Sequence, residues 1–210
     1  MVDPKHLKNF IRAAEAEAYD PAFVLLRGKS PFQKNWQKRR PTLEEAVLHL
    51  RRDPENSAIG IQPSSIGCVV LDCDKGDGPA DGAKMVRQRH GDVVACVTPS
   101  TSGRADRGHV WVRCSAPDAV KNWKFKLEDN SGIDSVEGEF RSIRGQVKLT
   151  ASALQLLTDA LANIGNIEEA SASAFKQMRT SSLGNIDMSF SRTEGREANE
   201  EDSHLLAERL

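Results

Sequence analysis

Short apolar runs of strand length alternate with segments of helical pattern along most of this chain, and this alternation restricts the fold more than any other feature. The runs at residues 58–61 and 67–74 are typical of buried strands, whereas Thr42 to Glu45 forms a capping box that predicts the start of a helix. Further strands are predicted at residues 23–26, 93–98, 109–114 and 146–149, and further helices at residues 5–18, at 83–90 and after a Ser152 cap. Because the strands come from both hairpin-like and crossover contexts, the sequence predicts an α+β (mixed α/β) sheet domain.

The predicted elements end near residue 165, and the chain changes character after that point. A length of 210 residues with 39% apolar residues suffices for one generous domain with its own core. Residues 1–165 are therefore predicted to form that domain. Residues 166–210 carry few large apolar side chains and many charges, so we expect a polar tail or linker of the kind that leads into a further domain in a longer protein.

Charge and cysteine content narrow the class of protein. The net charge is −1, so a polyanion such as a nucleic acid would have to bind a local basic patch. The four cysteines form no C-x-x-C pair and mostly lie in apolar runs, which favours free buried thiols in a reducing compartment over disulfides or zinc. No segment resembles a signal peptide or is long enough to span a membrane, so we expect a soluble cytoplasmic protein.

Two acids one residue apart, Asp72 and Asp74, end the apolar strand at residues 67–74. Residues i and i+2 of a strand point to the same face, so both carboxylates would project together. Close carboxylates repel each other, and a divalent cation is the simplest remedy; oxygen-only ligands favour Mg²⁺ or Mn²⁺. Removing either acid is therefore expected to leave stability unchanged or to raise it. The alternative is that both acids simply begin a solvated loop.

A loop rich in Ser, Gly and Arg connects two predicted strands between Thr98 and His109. Small residues let backbone amides approach an anion closely, and Ser, Arg and His side chains bond to phosphate oxygens. His109 opens the second strand beside this loop, which favours a phosphate site. The alternative is a solvated hairpin with a surface histidine.

A third acid with a neighbouring arginine falls in the segment at residues 136–149, where Glu139 and Arg141 share one face if the chain is extended. Asp134 and Glu137 are rivals for the role of the third acid. An isolated acid–arginine pair is most often a surface pair of little consequence. Taken together, however, the three groups all fall at predicted strand ends and suit nucleotidyl transfer by two metal ions held about 4 Å apart.

These motifs resemble those of the primase–polymerase (prim-pol) domain of the archaeo-eukaryotic primase superfamily, found in plasmid and phage replication proteins. "VLDCD" resembles the first motif of that family, "TPSTSGRADRGHVWV" the second and "GEFRSIRGQVKL" the third, while "RGKSPFQKNW" resembles the lysine loop and tryptophan that precede them. The resemblance covers roughly residues 23–149. Each motif is weak by itself, but their order and spacing together are fairly specific.

The resemblance implies an RNA-recognition-like (RRM-like) catalytic sheet packed on a smaller α/β module. It implies template-directed synthesis and extension of primers on single-stranded DNA from dNTPs or NTPs, in the cytoplasm of a bacterial host, with a helicase fused to the chain or recruited by it. Asp72, Asp74 and Glu139 would hold Mg²⁺ or Mn²⁺ and carry the catalysis. The nucleotide-binding set implied by the family comprises Lys29, Ser100, Ser102, Arg104, His109 and Arg141.

Two other classes remain open from the sequence. A catalytically inert nucleic-acid-binding module of a replication initiator would keep the fold and use two basic runs, Lys34, Lys38, Arg39 and Arg40 in one, Lys121, Lys124 and Lys126 in the other. A metal-dependent nuclease or relaxase also pairs acids with histidine. Relaxases use a histidine cluster and a nucleophilic tyrosine, however, and the only tyrosine here, Tyr19, lies far from the motifs in sequence.

Overall fold

The structure, a computed structural model of the chain, describes residues 2–76, 78–129, 131, 134–142 and 145–180. Within these ranges the helices are α1 (Pro4–Ala16), α2 (Leu43–Arg52), α3 (Pro79–His90), α4 (Ala151–Ala162) and α5 (Ala172–Thr180). The strands are β1 (Phe23–Arg27), β2 (Ser30–Pro31), β3 (Ser57–Ile61), β4 (Cys68–Gly76), β5 (Val94–Pro99), β6 (Gly108–Arg113), β7 (Lys124–Glu128), β8 (Ser135–Arg141) and β9 (Val147–Lys148).

Polar side chains set the beginning of two helices. The capping box predicted for α2 is confirmed: Thr42 Oγ1 accepts a hydrogen bond from the Glu45 backbone N–H at 3.2 Å, and the Glu45 carboxylate accepts one from the Thr42 N–H at 2.9 Å. The predicted Ser152 cap of α4 is wrong. The cap is Thr150, whose Oγ1 accepts from the Ala153 N–H at 3.1 Å. Thr150 has extended backbone angles, whereas Ser152 already lies inside the helix.

The strands form two antiparallel sheets, which confirms the predicted α+β fold. The smaller sheet has the order β2-β1-β3-β9, and the larger one has the order β5-β6-β4-β8-β7. Strand β4 is therefore the central strand of the larger sheet, with β6 and β8 on either side. Strand β7 was not predicted, because its "KFKLE" sequence alternates charged and apolar residues over only five positions at the sheet edge.

Strand β4 is buried on both faces along its first half only. On one face, Val69 and Leu71 pack with side chains of the larger sheet, α3 and α5. On the other face, Cys68 and Val70 join a second core, which contains Ile59 of the smaller sheet. The smaller sheet and the helices that share this core, α1, α2 and α4, form the smaller module. The smaller module does not extend over the second half of β4, where side chains become half-buried at Asp72 and exposed from Asp74 onward. A cleft between the two modules therefore opens at Asp72.

The four cysteines are free, as predicted, and three of them, Cys68, Cys73 and Cys114, are buried. Burial raises the pKa of Cys68 to about 12. This thiol is therefore protonated at neutral pH and acts as a small apolar side chain in the core.

The start of the segment expected to be a polar tail is part of the fold. Phe175 of α5 is fully buried, and its ring meets that of Phe140 edge-on, with centroids 5.7 Å apart. Arg113 anchors the chain before α5 through an ion pair of 2.6 Å to Glu169 and a hydrogen bond of 2.9 Å to the Ile167 carbonyl. The packed core thus continues past residue 165 as far as Met178. The remainder of the expected tail, residues 181–210, lies outside the described residues.

We expect Phe175→Ala to lower the free energy of unfolding by about 3 kcal/mol, because it removes a fully buried ring from the core. Urea denaturation measures this change. Leu156→Ala on α4 is the matched control: this side chain is 39% exposed, and its loss should cost within about 0.5 kcal/mol. Equal, small effects of the two substitutions would show that α5 does not stabilise the domain.

Candidate active site

Five side chains form one row across one face of the larger sheet. Asp72 on β4 lies directly opposite His109 on β6 and opposite Glu139 on β8. The row continues to Thr98 on β5, opposite His109, and to Lys124 on β7, opposite Glu139. Directly opposite residues of antiparallel strands project from the same face with Cβ atoms about 5 Å apart. The sheet register therefore brings residues from all three predicted motifs to one place.

Asp72 is the centre of an ion-pair network. Its Oδ2 lies 2.6 Å from Nη2 of Arg141, and its Oδ1 lies 3.4 Å from Nε2 of His109. The same Arg141 nitrogen lies 3.5 Å from Oε2 of Glu139, so one guanidinium lies between two carboxylates. The Asp72 side chain is 13% exposed, which makes it the most protected of the three charged groups of this network. Asp72 thus has two partners, and they offset the expected repulsion between its carboxylate and neighbouring carboxylates.

The alternation along β8 agrees with the prediction. Val136 and Phe140 are buried, whereas Glu137, Glu139 and Arg141 are half-buried on the opposite face. Glu139 is opposite Asp72, but Glu137 is opposite Lys75, farther along β4. Among the candidate third acids, Glu139 is therefore the one that lies beside Asp72. Asp134 precedes the strand and is exposed.

Gly138 allows β4 and β8 to approach each other at this row. A Cβ atom at Gly138 would lie 1.7 Å from the Asp72 carbonyl oxygen, a distance that no side chain tolerates. Any other residue would push the two backbones apart and separate Glu139 from Asp72. The glycine is therefore part of what positions the two carboxylates.

His109 is half-buried and held from two sides. Its Nε2 faces Asp72, and its Nδ1 lies 3.4 Å from Oγ1 of Thr98. Burial lowers the pKa of His109; the Asp72 carboxylate acts in the opposite direction, and Arg141 lowers the pKa further. Thr98 also accepts a hydrogen bond of 3.0 Å from the indole N–H of Trp111. Thr98 and Trp111 were not predicted, although a tryptophan two residues after His109 shares its face of β6 and needs a partner for its N–H.

The loop before His109 is organised by its own side chains. The hydroxyl groups of Ser100 and Ser102 are hydrogen-bonded to each other at 2.7 Å, and the Ser102 backbone N–H donates to Ser100 Oγ at 2.9 Å. Arg104, a predicted nucleotide-binding residue, is bound by Asp106 through contacts of 2.9 and 2.5 Å. This ion pair lowers the pKa of Asp106, and its two side chains are 59% and 36% exposed, so the pair is weak. The two serines thus lie together, whereas Arg104 has an acidic partner that was not predicted.

Lys29 reaches the site through a residue of the smaller module. The side-chain amide of Gln146 donates to the Lys29 carbonyl at 3.1 Å, and Arg141 Nη1 donates to the Gln146 carbonyl at 3.3 Å. The turn between β1 and β2 is thereby tied to the arginine that holds Asp72. The Lys29 side chain is exposed. Gln146 was not predicted, because its role depends on a contact with a residue 117 positions away in the chain.

A comparison against protein families covers the region that contains these motifs. Residues 15–156, more than half of the chain, match the profile of the family described as Prim-Pol, the bifunctional DNA primase/polymerase, N-terminal. The chain belongs to the Prim-Pol family. The predicted resemblance is thereby confirmed. A search of curated proteins returned no match.

Membership of the Prim-Pol family makes this chain a primase/polymerase-type replication domain, for which the implied substrates are a DNA template and nucleotides. The site row and its loop lie between residues 72 and 141, inside the matched region. Helix α5 lies beyond that region, although it contributes to the same core. No helix in the described part of the Prim-Pol domain is both long and apolar enough to cross a membrane.

Prim-Pol enzymes generally depend on metal ions, and the acids of the row are the candidate ligands of such an ion. Within the described residues, no group of three or more His, Cys, Asp or Glu side chains lies close enough to hold a metal ion. Asp72 and Glu139 nevertheless share the cationic guanidinium of Arg141, which shows that this pair of carboxylates attracts positive charge. Their oxygen donors suit Mg²⁺ or Mn²⁺. In charge and donor type, therefore, these two acids fit such an ion.

Asp74 is less closely tied to the row. The pairing of β4 with β8 shifts between Cys73 and Lys75, so Asp74 lies at a bulge and is exposed. A bulge breaks the simple alternation on which the predicted shared face of Asp72 and Asp74 rests. Asp74 is still close enough to His109 to raise the pKa of that residue. Its place as a third metal ligand stays a prediction.

One lysine from each of the two basic runs of the sequence lines a common groove. A cavity of about 830 Å³ is lined on one side by residues of the smaller module, including Asn35 and Lys38, and on the other by Lys121 and Asn122 of the larger module. One acid, Asp118, also lines it. The two lysines are exposed, and they bring positive charge from distant parts of the sequence to one open groove.

Proposed function

We propose that this Prim-Pol domain is an active nucleotidyltransferase that makes and extends primers on single-stranded DNA in phage or plasmid replication. The observation that carries the proposal is the row of His109, Asp72 and Glu139, with Arg141 bound to both acids. These residues come from the three motifs that resemble those of the family and lie inside the matched region, and the register of one sheet aligns them.

Asp72 and Glu139, together with Asp74, would hold Mg²⁺ or Mn²⁺. The bound ions would supply electrostatic stabilisation of the attacking and leaving oxygens of the phosphoryl transfer. Arg141 lies between Asp72 and Glu139, so a cation bound there would compete with the guanidinium. Once displaced, Arg141 would still lie on the same face of the sheet as the two acids, where its planar N–H groups suit the oxygens of a triphosphate.

Four further residues would bind the nucleotide. His109 presents Nε2 toward the cleft, and the hydroxyls of Ser100 and Ser102 lie on the loop that precedes it. Lys29 lies on the turn that Gln146 fixes. Arg104 would have to leave Asp106 to contact a phosphate; because that ion pair is exposed, the exchange would cost little.

The groove between Lys38 and Lys121 would bind the DNA strand. Lysine ammonium groups attract phosphates without reading sequence, and the two asparagines of the groove offer further hydrogen bonds to the backbone. Residues of both modules line the groove, which is what we expect of a binding path for a DNA strand that passes between the modules.

We expect the double substitution Lys38→Ala and Lys121→Ala to weaken single-stranded DNA binding by about tenfold at moderate salt, because two phosphate contacts are lost. Fluorescence anisotropy with a labelled oligonucleotide across a salt series measures it, and the slope of log affinity against log salt should fall by about 0.7 for each lost contact. Lys8→Ala, an exposed lysine on α1, is the control and should change nothing. An unchanged slope in the double variant would place the strand elsewhere.

Incorporation of labelled dNTP onto a primed oligonucleotide template tests the proposed activity. The expected result is template-dependent extension that requires Mg²⁺ or Mn²⁺. Binding of the template without any incorporation would favour a catalytically inert nucleic-acid-binding module. Shortening of the labelled strand would favour a nuclease.

A further inference from the structure

A short chain of buried polar groups lies behind His109. The indole N–H of Trp111 donates to Oγ1 of Thr98 at 3.0 Å, and the same oxygen lies 3.4 Å from Nδ1 of His109. Trp111 and Thr98 are both fully buried, with 0% exposure. On the far side of the ring, Nε2 of His109 lies 3.4 Å from Oδ1 of Asp72. The imidazole is thus held between a hydroxyl and a carboxylate.

The hydrogen-bonding capacity of these groups decides where the imidazole proton lies. An indole N–H can only donate, so it occupies one lone pair of Thr98 Oγ1. The hydroxyl proton of Thr98 then needs an acceptor, because a buried polar hydrogen left unpaired is costly. Nδ1 of His109 is the acceptor within reach. A carboxylate can only accept, so Asp72, 3.4 Å from Nε2, favours the same tautomer.

We propose that Thr98 and Trp111 are positioning residues that hold His109 in the tautomer with its proton on Nε2, directed toward the cleft. The proposal rests on the proposed function, since a donor at that place serves to bind the oxygens of a nucleotide triphosphate. The opposite tautomer would direct a lone pair at Asp72 and at the phosphates, and it would repel both.

The geometry of the strands makes the arrangement rigid. Thr98 is directly opposite His109 on the neighbouring strand, and Trp111 follows His109 by two residues on the same strand. Threonine is branched at Cβ, which restricts the rotation of its hydroxyl-bearing carbon. The large indole ring of Trp111 is packed in the core of the smaller module, so the N–H that donates to Thr98 has a fixed position. The other charged groups that face the ring are Arg141 and Asp74.

Three substitutions distinguish the role of the Thr98 hydroxyl from that of the shape of its side chain and test the N–H of Trp111. Thr98→Val keeps the branched shape and removes the hydroxyl, Thr98→Ser keeps the hydroxyl, and Trp111→Phe removes the N–H that orients it. The direct readout is the ¹⁵N chemical shifts of the two ring nitrogens of His109, measured by NMR on the protein without nucleotide or metal. The His109 signals are assigned by their loss in His109→Gln.

In the wild type and in Thr98→Ser we expect Nε2 to carry the proton and Nδ1 to be unprotonated. Thr98→Val removes one of the two groups that favour the proton on Nε2 and leaves Asp72 in place, so we expect a measurable added population of the Nδ1-protonated tautomer. The dNTP dissociation constant should rise by up to about tenfold, the effect of one lost orienting hydrogen bond in a shielded site. Trp111→Phe should lie between the two. Affinity for single-stranded DNA should stay within about twofold, since a backbone-binding groove elsewhere is unaffected.

A proton on Nδ1 in the wild type would overturn the proposal, as would an unchanged Nε2-protonated ring in folded Thr98→Val. Urea denaturation shows whether each variant is folded, and the wild-type spectrum tests the tautomer even if a variant is not. Failure of the proposed function gives a different result. In that case the tautomer would still respond to Thr98→Val, but the wild type would incorporate no nucleotide.

Discussion

Asp72→Asn is expected to reduce nucleotide incorporation by at least about a thousandfold, because it removes the charge at the centre of the site while keeping the size of the side chain. Asp72 contacts His109 and Arg141 directly and lies opposite Glu139, so no neighbouring group can replace it. Single-turnover primer extension measures the loss. Normal extension by this variant would exclude Asp72 from the catalytic centre.

The matched control is Asp92→Asn, because Asp92 pairs with Arg87 at 3.5 Å but is 69% exposed and lies outside the row. It should retain full activity and stability. For Asp72→Asn, the sequence alone predicted unchanged or higher stability, on the premise of uncompensated repulsion. The structure instead gives Asp72 a cationic partner, so we expect a loss of about 1–2 kcal/mol in urea denaturation, the cost of leaving a half-buried charge without a partner. Glu139, at 3.5 Å from the same guanidinium, limits that loss.

Glu139→Gln is expected to reduce metal-dependent synthesis by about a hundredfold or more, because it removes the second carboxylate beside Asp72. Glu137→Gln and Asp134→Asn should stay within about tenfold of wild type, since neither acid is opposite Asp72. Each substitution keeps the size of the side chain and removes only its charge. Primer extension across a Mn²⁺ titration measures all three variants side by side.

The ranking of these three variants is the informative result. Glu137 lies on the same face of β8 as Glu139 and is the sharper control, because the two differ only in their position along the strand. A larger loss in Glu137→Gln than in Glu139→Gln would mean that the catalytic centre lies nearer the open end of β4, by Lys75.

Much of the site could be predicted because its residues follow local patterns. The apolar run that ends at Asp72 predicted a buried strand, and alternation along β8 correctly separated Phe140 from Glu139. The capping box of α2 was equally local. Patterns with a period of two or with a fixed spacing depend only on neighbours in the chain, and a sequence shows those directly.

Contacts between distant segments could not be predicted in the same way. The hydroxyl of Thr98 meets His109 only because β5 and β6 pair in one particular register. The amide of Gln146 holds the Lys29 turn, although the two residues lie 117 positions apart in the chain. Helix α5 contains few large apolar residues among its serines and charges, so its sequence resembles a tail, yet Phe175 completes a core that the sheet builds. In each case tertiary structure, rather than local propensity, decides the outcome.

The central place of β4 has a consequence for the nascent chain. Both sheet neighbours of β4 follow it in sequence. During synthesis, both edges of β4 therefore stay unpaired until β6 and then β8 have been made. An unpaired apolar strand is a template for association between chains. The charges of Asp72, Asp74 and Lys75 interrupt the run directly after Leu71, as gatekeeper residues do. We therefore expect the acids of the cleft also to disfavour association between growing polypeptides.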